Sequence, residues 1–457
     1  MSRASICAAL CLVTLAGFYA GHPGAAADTL PGGKADSLPR YKLQVGQDIS
    51  YSGHDEFRYE GGKFFTDSTW RFWVVKENDD GSWRIVMRYG NKFRQSRDAG
   101  GGSDHETVLF AWCDLTPGGQ IKDNETLGYH VNPAPLLVRL PEGEKELREG
   151  WNREEAKISR KFRYRLLPDK SSRERVAIES IQVSPENVIY GFEFNDIVTF
   201  DVGRGLPEKL ESVTKQTYGF KGEGKGTVQL DQVRMQTAEW CRGLWADAER
   251  YFSIAEKEPA GLSPEALEAK MQRTAANRRA AKEQIKSPEF LKQIDDEIKR
   301  EEQYARQSLR SAKERYSIID HPAAEWTCQD LSGKEHALKD CRGRVVVLDF
   351  WYRGCGWCVR AMPQVKEVAA HFADKPVTVF GMNTDREEAD AQFVIDKLGL
   401  NYDNLKATGI PEKYKVHGFP TLIIIDQEGV VRDLHVGYSA DLKAKVIESI
   451  ERLLKKS

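Results

Sequence analysis

Cys355 and Cys358 stand with two residues between them, Gly356 and Trp357. Thiols at this spacing lie within one helical turn and can close a disulfide. They follow an apolar run rich in β-branched residues, beginning Val345-Val346-Val347-Leu348, which reads as a buried strand. A short turn separates run from pair, so the first thiol is expected at a helix start. There the free N–H groups and the helix dipole favour a thiolate. Cys355 is therefore the candidate nucleophile, with a pKa expected to fall from ~8.5 into the ~3.5–7.5 range. Cys358, one turn on, would resolve the mixed disulfide, and it must first lose a proton. Asp349, on the strand beneath, is the candidate base, its own pKa raised by desolvation. The alternative for Asp349 is a buried polar residue held by a hydrogen bond or water. Arg353 would lower the Cys355 pKa further if it lay beside the sulfur.

The same stretch resembles the thioredoxin superfamily, in particular the exported TlpA-like thiol:disulfide oxidoreductases. Asp349-Phe350-Trp351 matches the Asp-Phe-Trp that precedes the thioredoxin active site, and Pro363 falls at the family's helix-kinking proline. Gly418-Phe419-Pro420-Thr421, which opens the apolar Leu422–Ile425, is similar to the family's cis-proline loop. The resemblance covers 325–454. It implies an α/β thioredoxin-like domain, a cis Pro420 resting against the disulfide, and the base role for Asp349. It also implies protein thiols and disulfides as substrates and, for a reductase in an oxidising compartment, a membrane thiol-electron donor. Trp357 is expected to cover the second sulfur and shape the contact surface, and the backbone of Phe419 to pair with a substrate strand. His417, close to this loop, is taken as incidental. No cofactor and no metal are called for. The sequence departs from the thioredoxin pattern in having Gly-Trp between the cysteines and Gly354 in place of a tryptophan, which leaves the redox potential open.

The remaining residues must position this motif. A chain of 457 residues suits about two to four domains. A formal net charge of −2 supplies no bulk field for nucleic acid or a membrane surface. Met1–Ala27 reads as a signal peptide, with Arg3, the apolar Ile6–Ala20 and the small-residue site Ala25-Ala26-Ala27; an uncleaved anchor is the alternative. An exported protein of the periplasm or cell envelope is implied, cleaved near Ala27, with 28–40 as a disordered lead-in. Six cysteines then remain, and an even count in an exported protein allows disulfides. Cys113 with Cys241, and Cys328 with Cys341, are the candidate structural pairs; buried thiols are the alternative for each.

From 41 to 243 the pattern has period two, with Asn78-Asp79-Asp80-Gly81 as a hairpin signal. This reads as an antiparallel β-rich domain, a sandwich or a strongly curved sheet. His54, His105 and His130 show no metal-ligand spacing. Residues 244–319 change to helical composition. Ser263-Pro264-Glu265 and Ser287-Pro288-Glu289 are two copies of one helix-start signal. Leu291, Ile298, Ala305 and Ala312 recur at steps of seven on the second helix, giving an α-helical hairpin that serves as a spacer or as the arm of a homodimer. Residues 320–457 form the thioredoxin-like domain of this multidomain chain. Three rival readings stand beside the oxidoreductase. A zinc site lacks a second Cys/His pair at finger spacing. A peroxiredoxin lacks its Pro-x-x-x-Thr-x-x-Cys around Cys355. In the third, a binding or structural protein, the β domain carries the main function and the redox domain is accessory.

Overall fold

The structure, a computed structural model, describes residues 38–97, 102–122, 133–155, 160–183, 189, 191–219, 221–254 and 261–455. The expected signal peptide and 28–37 of the lead-in lie outside the described residues, as does His130. Among the described residues no helix is long and apolar enough to cross a membrane. By packing, the chain divides into two compact units, Met1–Phe252 with Gln284–Gln293 and Ser253–Glu283 with Ile294–Ser457. The helical stretch 244–319 is thus shared between them.

Among the described residues the first unit is built on eleven strands: β1 (Gln47–Tyr59), β2 (Gly62–Glu77), β3 (Trp83–Arg97), β4 (Gly102–Leu115), β5 (Ile121–Lys122), β6 (Trp151–Glu155), β7 (Arg160–Leu166), β8 (Arg175–Gln182), β9 (Phe192–Asp201), β10 (Leu206–Gln216) and β11 (Gly222–Met235). They form one sheet, not the two layers of a sandwich, in the order β5-β4-β3-β2-β1-β11-β10-β9-β8-β7-β6. The reason lies in the connections. Sequential hairpins pair each strand with its neighbour, and β1 pairs with β11 along thirteen positions, Gln47 to Tyr59. Residues from both ends of the sheet, Ile85 and Cys113 with Trp151, Phe162 and Val176, then share one core, so the sheet must curl over its own apolar face.

Helix α1 (Glu144–Glu149) precedes β6, and α2 (Ala238–Phe252) covers the other face of the sheet. Trp73 meets Trp240, Phe110 meets Tyr251, and Trp112 meets Trp245 with ring centroids 5.5 Å apart. Of the two readings of Cys113 and Cys241, a bridge or buried thiols, the structure has buried thiols. Strand alternation turns Trp112 toward α2 and Cys113 to the opposite face, inside the curled core. Cys241, on α2, instead places its thiol 3.8 Å from the Val74 carbonyl.

Two longer helices follow, α3 (Pro264–Gln284) and α4 (Pro288–Tyr316). The Ser263 hydroxyl accepts the Ala266 N–H at 3.2 Å, as its cap position requires. At the start of α4 the buried Asp247 of α2 accepts the backbone N–H groups of Lys286 and Ser287 at 2.9 and 2.7 Å. Arg278 and Lys282 of α3 pair with Glu297 and Asp295 of α4.

The rest of the second unit contains the hairpin β12 (Thr327–Gln329) and β13 (Glu335–Ala337), then β14 (Val345–Trp351), α5 (Gly356–His371), β15 (Val377–Asn383), α6 (Glu388–Leu398), β16 (Asp403–Lys406), α7 (Ile410–Lys413), β17 (Thr421–Ile425), β18 (Val431–Val436) and α8 (Leu442–Leu454). Five strands make a sheet in the order β16-β15-β14-β17-β18. The three strands β14, β15 and β16 run parallel, while β17 and β18 are antiparallel to their neighbours. Cys328 lies on β12 opposite His336, not Cys341. Cys341 sits in a short turn of helix where its thiol is 3.7 Å from the Ala337 carbonyl. The two are separate thiols, and the candidate bridge across the hairpin is not formed.

Candidate active site

Strand β14 delivers its residues alternately to two cores. Val346, Leu348 and Phe350 pack with Trp326 and Phe380 on one face; Val345 and Val347 pack with Ala361 and Val365 of α5 on the other. Asp349 continues the second series, which turns its side chain to the face that α5 covers, and it is only 1% exposed. The strand ends at Trp351, and a short turn leads to Cys355, the N-cap residue of α5.

Cys355 and Cys358 form a disulfide with Cα atoms 5.2 Å apart. Cys355 Sγ accepts the Cys358 backbone N–H at 3.1 Å, so the first turn of the helix directs a donor at the sulfur. Both residues are buried, Cys355 at 5% exposure and Cys358 at 1%. Burial pushes the Asp349 carboxyl up to about 7, while the hydrogen bond from Tyr402 acts in the opposite direction. That bond runs from the Tyr402 hydroxyl to Oδ2 at 3.3 Å. The other oxygen, Oδ1, has no hydrogen-bond partner among the described residues.

The Phe419–Pro420 peptide bond is cis. Pro420 is buried, and its carbonyl accepts the Gly437 N–H at 2.8 Å. Two aromatic side chains beside the cysteine pair, Tyr352 and Trp357, are exposed. Trp357 is 46% exposed and stacks on Tyr438, with the Arg360 guanidinium 5.2 Å from its ring. Tyr352 meets Phe419 edge-on at 5.3 Å.

Arg353 takes a different part from the one its sequence position suggests. Its guanidinium pairs with Asp390 at 2.9 Å and lies 4.2 Å from the Phe393 ring, while its backbone N–H goes to Asp385. It ties the turn before the cysteines to α6. His417 Nε2 lies 3.8 Å from a carboxylate oxygen of Glu314. Sequence reasoning missed Tyr402, Asn404 and Tyr438. The first of these reaches Asp349 across 53 positions, a separation at which no local pattern gives a signal.

An AhpC/TSA family model matches residues 319–434. The chain is 31% identical over 128 residues to the thioredoxin-like protein YneN of Bacillus subtilis, a span of 25% of this chain and 69% of that protein. It is 25% identical over 135 residues to the thiol-disulfide oxidoreductase ResA of Halalkalibacterium halodurans, 29% of this chain and 75% of that one. Among solved structures, the thioredoxin domain of a thiol-disulfide oxidoreductase from Bacteroides vulgatus is 29% identical and covers 29% of this chain and 97% of its own, at a TM-score of 0.27. Through its C-terminal part the chain belongs to the thioredoxin superfamily, as a TlpA-like thiol:disulfide oxidoreductase.

Proposed function

We propose that this chain is an exported reductase that exchanges disulfides with protein substrates through Cys355-Gly356-Trp357-Cys358. One observation carries the reading: a Cys355–Cys358 bridge at the start of a helix, on a strand whose buried carboxylate keeps one oxygen unpaired. In the reduced protein the Cys355 thiolate attacks a substrate disulfide, forming one S–S bond as the substrate's own breaks. Asp349 takes the proton of Cys358, and the Cys358 sulfur then displaces the substrate from Cys355. The substrate leaves with two electrons and gains protons from water, and the pair is left oxidised. A membrane thiol carrier returns it to the dithiol. Trp357 and the backbone of Phe419 form the substrate contact, beside Pro420. Residues 320–457 are the working domain, and α3 and α4 form a helical hairpin.

The test is the full chain with Cys358→Ser, which leaves Cys355 unable to resolve. It should accumulate a mixed disulfide with an exported protein, released by dithiothreitol. Absence of any such adduct, with Cys355 still reactive toward a small alkylating agent, refutes the reading.

A further inference from the structure

The Asp349 carboxylate is held by a ring of contacts that closes on its own strand. Its Oδ2 accepts the Tyr402 hydroxyl. Tyr402 immediately precedes the edge strand β16, is half-buried, and packs its ring on the core beneath α5 and α8. Its carbonyl accepts Asn404 Nδ2 at 2.8 Å, and Asn404 Oδ1 accepts the Trp351 indole N–H at 3.0 Å. Trp351 lies two residues beyond Asp349 on β14. Gly381 pairs with Asp349 on one side and Asn404 on the other, and a Cβ there would overlap Asn404 Oδ1. The missing side chain is what gives the ring its space.

We propose that Tyr402, its backbone held by Asn404, is a positioning residue for the resolving half of the exchange: its hydroxyl orients Asp349 so that the unpartnered Oδ1 takes the Cys358 proton. This rests on the reading above. The S–H bond of Cys358 breaks, an O–H bond forms on Asp349, and the released sulfur closes on Cys355. Few other titratable groups face this carboxylate. Helix α5, which begins at the cysteine pair, covers the face of the sheet on which Asp349 lies. From β18 there is His435, in the same transverse row as Asp349 beyond Leu422, its protonation disfavoured by burial and its Nε2 without a hydrogen-bond partner among the described residues. Strands β15 and β17 oppose Asp349 with Gly381 and Leu422, which do not titrate.

Tyr402→Phe in the full chain keeps the ring and deletes the hydrogen bond. Resolution of a Cys355 mixed disulfide should rise with pH as Asp349 ionises. Removing a donor to the charged form should move that limb up by about half to one pH unit. Resolution is then about three- to tenfold slower on the acid side and converges with the parent above the limb, while the rate of mixed-disulfide formation is unchanged. A superimposable profile, or equal slowing at every pH, overturns the inference. In the unmutated chain, carbon-13 signals of the Tyr402 ring and the Asp349 carboxyl should titrate with one shared midpoint; a Tyr402 signal that is silent through that titration overturns it without a variant. If the unmutated chain forms no mixed disulfide, the exchange reading fails, and the shared titration still decides the role of Tyr402.

Discussion

Asp349→Asn in the oxidised protein should stabilise the second unit, and by an amount set by pH. The parent carboxyl is at about 7 when folded, against an ordinary value of 3.8. A rise of about three pH units, at ~1.4 kcal/mol each, is a penalty of about 4 kcal/mol on the ionised folded state. The sign follows from where the proton is held. Below about pH 3 the carboxyl is neutral in both folded and unfolded chains, and Asp349 costs nothing. As pH rises toward 7 the unfolded chain releases the proton and the folded one retains it, so stability is lost across that window. Above 7 the loss is complete. The amide variant has no such term. In the oxidised form the cysteines do not titrate and cannot confuse the comparison. The assay is amide hydrogen exchange along Val345–Trp351, whose buried backbone opens only when the sheet does. Protection in the variant should match the parent near pH 3 and exceed it by up to ~10³-fold near pH 8.5. A gain of the same size at both ends, or none at the upper end, would refute the assignment of a burial-raised carboxyl. Activity should move the other way, since resolution without the base slows by ~10²-fold or more.

Two further outcomes test the surroundings. Gly381→Ala should cost about 1–3 kcal/mol, read as a lower urea midpoint, because its Cβ would overlap Asn404 Oδ1 and lie 2.9 Å from Trp351 Nε1; an unchanged midpoint would mean that the ring round Asp349 has slack. Asp247→Ala strands the N–H groups of Lys286 and Ser287 and should cost about 2 kcal/mol in thermal or urea unfolding, with Asp247→Asn recovering part of it. A loss under 0.5 kcal/mol, or no recovery, would show that water replaces the carboxylate.

What could be read from sequence here was local or periodic. Cys355 and Cys358 announced themselves because a bridge across two residues needs no knowledge of the rest of the chain. The run from Val345 declared a strand by its composition, and Ser263 declared a cap by its place before Pro264. Period two marked the β-rich region but could not say how many layers it makes. That depends on whether β1 and β11, nearly 180 positions apart at Ser52 and Asp231, find each other, and alternation is identical in a sandwich and in one curled sheet. The thiols failed for a related reason. Spacing said that Cys113 and Cys241 could meet, but the face each presents is decided by Trp112 and Trp245 packing together, which only the folded sheet reveals.

Partner choice by charged groups was the least legible, because it is settled by geometry among many candidates. Arg353 neighbours the cysteines in sequence, yet Asp390 and Phe393 on α6 hold it. Ser287 looked like a complete helix start, yet a carboxylate 40 positions earlier also accepts its N–H. Asp349 is the instructive contrast. Its burial followed from standing in an apolar strand, and burial alone accounts for the direction of its proton affinity. What the strand could not supply is the opposing influence of Tyr402, on which the size of the effect depends. A buried base must be costly enough to hold its proton near neutral pH and constrained enough to present one oxygen. The first condition is a property of β14 by itself; the second requires β15 to lack a side chain at Gly381 and β16 to bring Asn404 alongside. Substitutions at Gly381 or Asn404 should therefore alter how Asp349 exchanges its proton even though neither residue carries a charge.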